Sequence, residues 1–273
     1  GVLDRNPALT DTATESLPQQ QRSDRTDQQF WSQAQRETIV SFVDEEADSL
    51  SADAPDRWLN IRNKALVRIL AYSGVRGAEI LSHPKDDRDG RNGLRWKNVD
   101  LDAGTILVFG KSQVWERTPI PSKCIDAISA LKRTQAPATP DWPMFATGHP
   151  PSLFRTAREQ LGTQYDRLLA DVSGDIWELY RVHSLTPPAL TTGGARQVMQ
   201  RLTEKAGIEV EDGYLKLHGG RRGLGDLLYR IDRGHAQDIL RHKDLATTQE
   251  AYQHIDAEER REQLDTYLDD ASG

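Results

Sequence analysis

From Phe30 onward, apolar residues recur at helical spacing along most of the chain. In "QAQRETIVSFVDEEA" Ile39, Val40, Phe42 and Val43 fall on one side of a helix, and "RWLNIRNKALVRILAYSG" repeats the pattern with Ile61, Ala65, Leu66, Ile69 and Leu70 before Gly74 stops it. Residues 82–93, "SHPKDDRDGRNG", are charged and turn-rich; this insertion, like a second within 150–190, is expected to lengthen the chain without touching the residues singled out below. The period then changes. "LRWKNVDLDAGTILVFGKSQVWERTPIP" carries β-branched runs separated by turn signals at 102–104 and 110–113, which predicts a small antiparallel sheet with Lys111 in a hairpin turn. Helical spacing returns at Ser122, and prolines and glycines break every period between Pro137 and Gly194. Two more helices are expected over "GARQVMQRLTEKAG" and "RRGLGDLLYRIDRG", then another over the charged tail "DAEERREQLDTYLDD". The predicted class is α+β, mainly α-helical, with a small antiparallel sheet and no internal repeat.

Composition narrows this picture. The 273 residues, 37% hydrophobic, are enough for a substantial core. Residues 1–29 are polar and rich in Gln, Ser, Thr and Asp, so they read as a linker, and 30–273 read as one domain. A start without Met suggests a piece of a longer protein. No run reaches the roughly 18 apolar residues that span a bilayer, and no basic-then-apolar signal opens the chain, so a soluble, cytoplasmic protein is expected. The single cysteine, Cys124, excludes an intrachain disulfide and a multi-cysteine metal site, and is expected to be a partly buried small residue. A formal charge of −7 argues against a nucleic-acid partner at first sight. Yet 26 Arg stand against 9 Lys, so the basic residues are mostly those suited to bidentate phosphate contacts. Asp outnumbers Glu by 27 to 15, a composition that would suit high internal salt.

Several familiar chemistries find no support. "GKS" at Gly110–Ser112 lacks the phosphate-loop spacing, because Gly104 lies one residue too early and "TILVF" reads as a strand. There is no G-x-S-x-G and no H-E-x-x-H. A basic set remains. "SGVRGAEIL" puts Glu79 three residues after Arg76, on one helical face. "LKLHGGRRG" puts His218 and Arg221 at i and i+3, at what reads as a helix start, so both can point into one site. "LRHKDLATTQEAYQHI" adds His242 and Tyr252.

In this order the set resembles the catalytic domain of the phage-integrase, or tyrosine recombinase, family, which includes Xer-type resolvases; the likeness covers about Phe30 to Leu268. The resemblance implies the DNA breaking-rejoining fold and equates the family's first arginine and its acidic neighbour with Arg76 and Glu79. It equates the hairpin lysine with Lys111, H-x-x-R with His218 and Arg221, the second histidine with His242, and the nucleophile with Tyr252. The polar, Asp-rich style resembles haloarchaeal integrases, implying an archaeal virus or plasmid. Arg241 stands where the family motif has glycine, the His242-to-Tyr252 gap is one residue longer, and Gly220 replaces a leucine, which is expected to loosen the packing behind Arg221. The family's N-terminal core-binding domain is expected to lie outside this chain.

The resemblance implies a site-specific recombinase that cuts and rejoins double-stranded DNA attachment sites through a 3'-phosphotyrosyl link. Arg76 and Arg221 would clamp the phosphate, Lys111 would protonate the leaving 5' oxygen, His218 would take the tyrosine proton or hydrogen-bond the phosphate, and His242 would donate to a phosphate oxygen. Glu79 would orient Arg76 or His218 without touching DNA. No metal, ATP or other cofactor is expected, nor any membrane partner, and the chain is expected to be a monomer when free and a homotetramer on DNA. Two alternatives remain open: a type IB topoisomerase-like activity, and a DNA-binding relative that does not cut.

Overall fold

The computed structural model describes residues 29–51, 54, 57–86, 88, 90–110, 113–211, 213–241 and the single positions 252, 255 and 261. The first helix, α1 (Gln33–Asp48), begins at a capping box: Ser32 Oγ accepts from the Gln35 amide, and the Gln35 side chain accepts from the Ser32 amide. It buries Ile39, Val40 and Val43 against α2 (Arg57–Tyr72), whose Ala65, Leu66, Ile69 and Leu70 are wholly inside the protein. Both helices match the apolar spacing of the sequence. A single turn, α3 (Gly77–Ile80), then leads to a three-stranded antiparallel sheet of β1 (Val99–Asp100), β2 (Thr105–Phe109) and β3 (Trp115–Pro119) in the order β1-β2-β3. Ile106 faces the core and pairs with Val99 on one side and Thr118 on the other.

Helix α4 (Ser122–Gln135) returns to pack on α2, with Cys124, Ile128 and Leu131 buried. Burial pushes the Cys124 thiol up to about 12, so the lone cysteine is an inert core residue, more deeply buried than expected. The stretch without a readable period holds α5 (Pro150–Leu161), α6 (Tyr165–Asp171) and α7 (Ile176–Val182). Its order comes from aromatic packing, with Trp142 against Tyr180 and Trp177 against Trp58. Helix α8 (Thr192–Lys205) starts at the Thr191 cap, α9 (Leu217–Ile231) starts four residues before the predicted "RRGLGDLLYRIDRG" helix, and α10 (Arg233–Leu240) follows. No helix among the described residues is long and apolar enough to cross a membrane. The expected linker before Gln29 and the expected tail helix lie outside the described residues, apart from Arg261.

Candidate functional site

Gly74, at a φ of +68°, lets the chain turn out of α2, and the buried Val75 anchors the next step. Arg76 then caps α3: its amide donates to Glu79 Oε2 at 2.8 Å and its Nη1 to Oε1 at 3.0 Å. The Glu79 side chain is completely buried. Burial alone would raise its pKa, but Arg241 and Arg76 more than offset this and hold the carboxyl below its usual range.

Helix α9 supplies the next groups. His218, in its first turn, lines an open cavity of about 490 Å³ together with Arg76, Thr192, Arg196, Tyr214 and Lys216. His218 remains solvent-accessible at its edge. Partial removal from water, followed by the charges of Arg222, Arg221 and Arg76, nevertheless lowers its pKa to about 4, with Glu79 opposing. It is therefore a neutral imidazole at pH 7. Arg196 and Lys216 were not singled out in the sequence, although Lys216 sits two residues before His218.

Arg221, one turn further along α9, is only 3% exposed. Its Nη1 donates to the Gly74 carbonyl and its Nη2 to the Leu240 carbonyl. It thereby ties the segment that carries Arg76 to the one that precedes His242. Burial, with Arg76 and Arg241 nearby, lowers its pKa to about 9. Its charge reaches His218, whose pKa it helps to lower.

The expected loosening behind Arg221 is overturned. A Cβ at Gly220 would lie 2.4 Å from the Leu70 carbonyl oxygen, and one at Gly223 would lie 2.1 Å from that of Trp31. Glycine permits the close approach of α9 to α2 and to the chain at Trp31, whose amide donates to the Gly219 carbonyl at 3.1 Å. The packing is tight because the side chain is missing.

Tyr252 sits apart from the cavity. Only 2% exposed, it belongs, among the described residues, to an apolar cluster with Tyr229, Ala236, Leu240 and Ile255, with Phe30 packed edge-on at 6.4 Å. Its hydroxyl rests against α9, where a Cβ on Gly225 would fall 1.7 Å away. Burial pushes the phenol up to about 12; the nearby Arg221 and Arg222 pull it down, and Asp226 opposes them. Lys111 and His242 lie outside the described residues.

Two arginines complete the surroundings. Arg91, from the 82–93 insertion, donates to the carbonyls of Ala78 at 3.1 Å and Gly110 at 2.7 Å, neither of them a motif residue. The insertion folds back because its guanidinium is buried between α3 and the end of β2, stacked on the Phe109 ring at 5.5 Å. Arg241, noted in the sequence only as a departure from glycine, donates to Glu79 at 2.6 Å and to Glu116 at 3.0 Å. Among the described residues no group of three or more His, Cys, Asp or Glu could hold a metal ion.

No family model matches the chain. Tyrosine recombinase XerC of Halalkalibacterium halodurans is 27% identical over 236 residues, which are 84% of this chain and 62% of that protein. Tyrosine recombinase XerC of Xylella fastidiosa is 34% identical over 89 residues, 33% of this chain and 24% of its own length. The chain therefore spans less than two thirds of the length of either relative. Among solved structures, XerH site-specific recombinase in a post-cleavage complex with palindromic difH substrate superposes with a TM-score of 0.54 at 17% identity, covering 97% of this chain and 58% of XerH. XerA recombinase gives 0.51 at 18% identity, over 82% of this chain and 60% of its own. At these identities the structures speak for the fold, which is the mainly helical one with a small antiparallel sheet expected from the sequence.

Proposed function

We propose that the chain, a member of the tyrosine recombinase/integrase family by sequence and by fold, is the catalytic part of a site-specific DNA recombinase that works through a phosphotyrosyl intermediate. The observation that carries this reading is the convergence of Arg76, His218, Arg196 and Lys216 on one open cavity, with Arg221 bonded to the Gly74 carbonyl just before the Arg76 segment. A negatively charged, tetrahedral group suits such a site. In the proposed step the Tyr252 oxygen forms a bond to the scissile phosphorus while the bond from phosphorus to the 5' oxygen breaks. Arg76 stabilises the charge on the non-bridging oxygens. Arg221 contributes through the second hydrogens of its terminal nitrogens, since each already donates once to a carbonyl. Neutral His218 accepts the tyrosine proton or bonds the phosphate, whose negative charge raises the basicity of the ring. Lys111 gives a proton to the departing oxygen, and His242 bonds a phosphate oxygen. The phosphotyrosyl bond keeps the energy of the phosphodiester, so neither ATP nor a metal is called on, and a 5'-hydroxyl from a second duplex reverses the attack. Pairs of duplexes require several such subunits, which we assign as a tetramer on DNA.

The buried state of Tyr252 means that the nucleophile must leave its cluster before it reacts. That burial also favours a second reading, in which the chain binds DNA without cutting it. The two part in a covalent-trapping assay on nicked duplexes, run from low to molar salt because electrostatic DNA binding weakens with salt. A denaturation-resistant protein–DNA adduct with wild type and none with Tyr252→Phe supports strand transfer. Binding without an adduct at any salt would falsify it in favour of the silent reading.

A further inference from the structure

We infer that Arg241 is a positioning residue that sets Arg76 and the β2–β3 turn relative to each other through two carboxylates, Glu79 and Glu116. The inference deepens the strand-transfer reading and rests on it. Arg241 Nη2 lies 2.6 Å from Glu79 Oε2, whose carboxylate also holds the Arg76 amide and guanidinium. Arg241 Nη1 lies 3.0 Å from Glu116 Oε2 on β3. The Glu116 carboxylate in turn packs under Gly110, where an added Cβ would fall 2.9 Å from Oε2. Gly110 closes the turn by donating to the Val114 carbonyl at 2.9 Å, and it directly precedes Lys111 in the chain. One guanidinium, 12% exposed, therefore connects the segment before His242, the cap that orients Arg76 and the base of the turn that carries Lys111.

The backbone shows that the side chain is held for its contacts. Arg241 has a φ of +53°, a left-handed conformation that favours glycine, and its buried Nε has no partner. An arginine here bears both costs and makes two ion pairs to carboxylates from separate elements. Lysine, as a point charge, cannot span both with a planar fork.

Arg241→Gly removes the bridge while relieving the left-handed backbone, so it keeps the fold testable. Glu116→Gln weakens one arm only. Adduct formation is measured for wild type, both variants and Arg241→Lys on an ordinary nicked duplex and on one with sulfur in place of the scissile 5' oxygen. Sulfur leaves as a thiolate and needs no proton. On the ordinary duplex Arg241→Gly is slowed about 10²-fold, as for a misplaced catalytic group, Glu116→Gln less, and Arg241→Lys lies between Arg241→Gly and wild type. On the sulfur duplex Glu116→Gln returns to the wild-type rate and Arg241→Gly recovers only in part, because Glu79, which orients Arg76, is still without its Arg241 partner. Unchanged rates on the ordinary duplex, or equal losses on both duplexes, overturn the inference. Wild type forming no adduct on either duplex overturns the strand-transfer reading, and the positioning role falls with it.

Discussion

The two ends of α9 sit in different company. Its first half lies against α2 and Trp31 in the main core, with glycines at 219, 220 and 223 meeting a neighbouring ring or backbone. Its second half carries Tyr229 and meets Tyr252 in a second cluster that, among the described residues, also holds Ala236, Leu240 and Ile255. At one end the close neighbours are carbonyl groups that cannot move without moving an element. At the other the neighbour at Gly225 is the tip of a tyrosine side chain, which can swing away. The arginine and histidine side of the site thus rests on backbone contacts, whereas the candidate nucleophile meets α9 through the end of its side chain.

The largest effect that tests this contrast is expected at the end that meets backbone. Gly223→Ala drives a methyl group onto the Trp31 carbonyl and should destabilise the protein by about 3 kcal/mol, read as a lower denaturant midpoint at unchanged slope. A near-neutral result would mean that this end yields as easily as the other. Gly225→Ala should be milder, because helix propensity recovers about 1 kcal/mol and the groups that must shift are the ends of two side chains, Tyr252 and Leu240. Its signature is the phenol itself: displaced into water, Tyr252 titrates nearer its ordinary value than the present value of about 12. A titration that does not change would place the ring firmly in its cluster.

A smaller effect concerns pH. His218 has a folded pKa of about 4 against 6.5 when unperturbed, so the unfolded chain takes up the proton first as the medium is acidified. The stability that this neutral ring represents is present above pH 6.5 and is lost as pH falls toward 4. Melting temperatures across that window should drop less for His218→Gln than for wild type; parallel curves would remove His218 from this role. The smallest change is expected from Cys124→Ala, which touches no site. In wild type its thiol serves as a clock, reacting with a thiol reagent only on global unfolding, while Tyr252 should be nitrated through local opening at a faster rate. Equal rates would erase the distinction between the two clusters.

The sequence made the helices of the main core legible, because Ile39, Val43, Ile61 and Leu66 repeat with helical spacing. It also displayed Arg76 with Glu79 and His218 with Arg221, pairs whose spacing fits a single turn. What it concealed depends on contacts between distant segments. Arg91 lies in a stretch whose composition says only turn and charge, and its role arises from stacking on Phe109 and reaching Gly110. Gly220 read as a missing side chain, but its meaning lies in the Leu70 carbonyl, 150 residues earlier in the chain. The burial of Tyr252 was hidden as well, since no local pattern says that Tyr229 and Phe30 will enclose it. Arg241 gave a faint signal, an arginine where a left-handed turn favours glycine, and only the two carboxylates explain it.

Arg221 has a consequence for descent. Because its guanidinium fastens the Gly74 and Leu240 carbonyls together, a lineage that lost the ability to cut DNA would still be under selection to keep this arginine. An inherited arginine at this position therefore reports an intact architecture, and a working ancestor and its inactive offspring would be told apart by Tyr252.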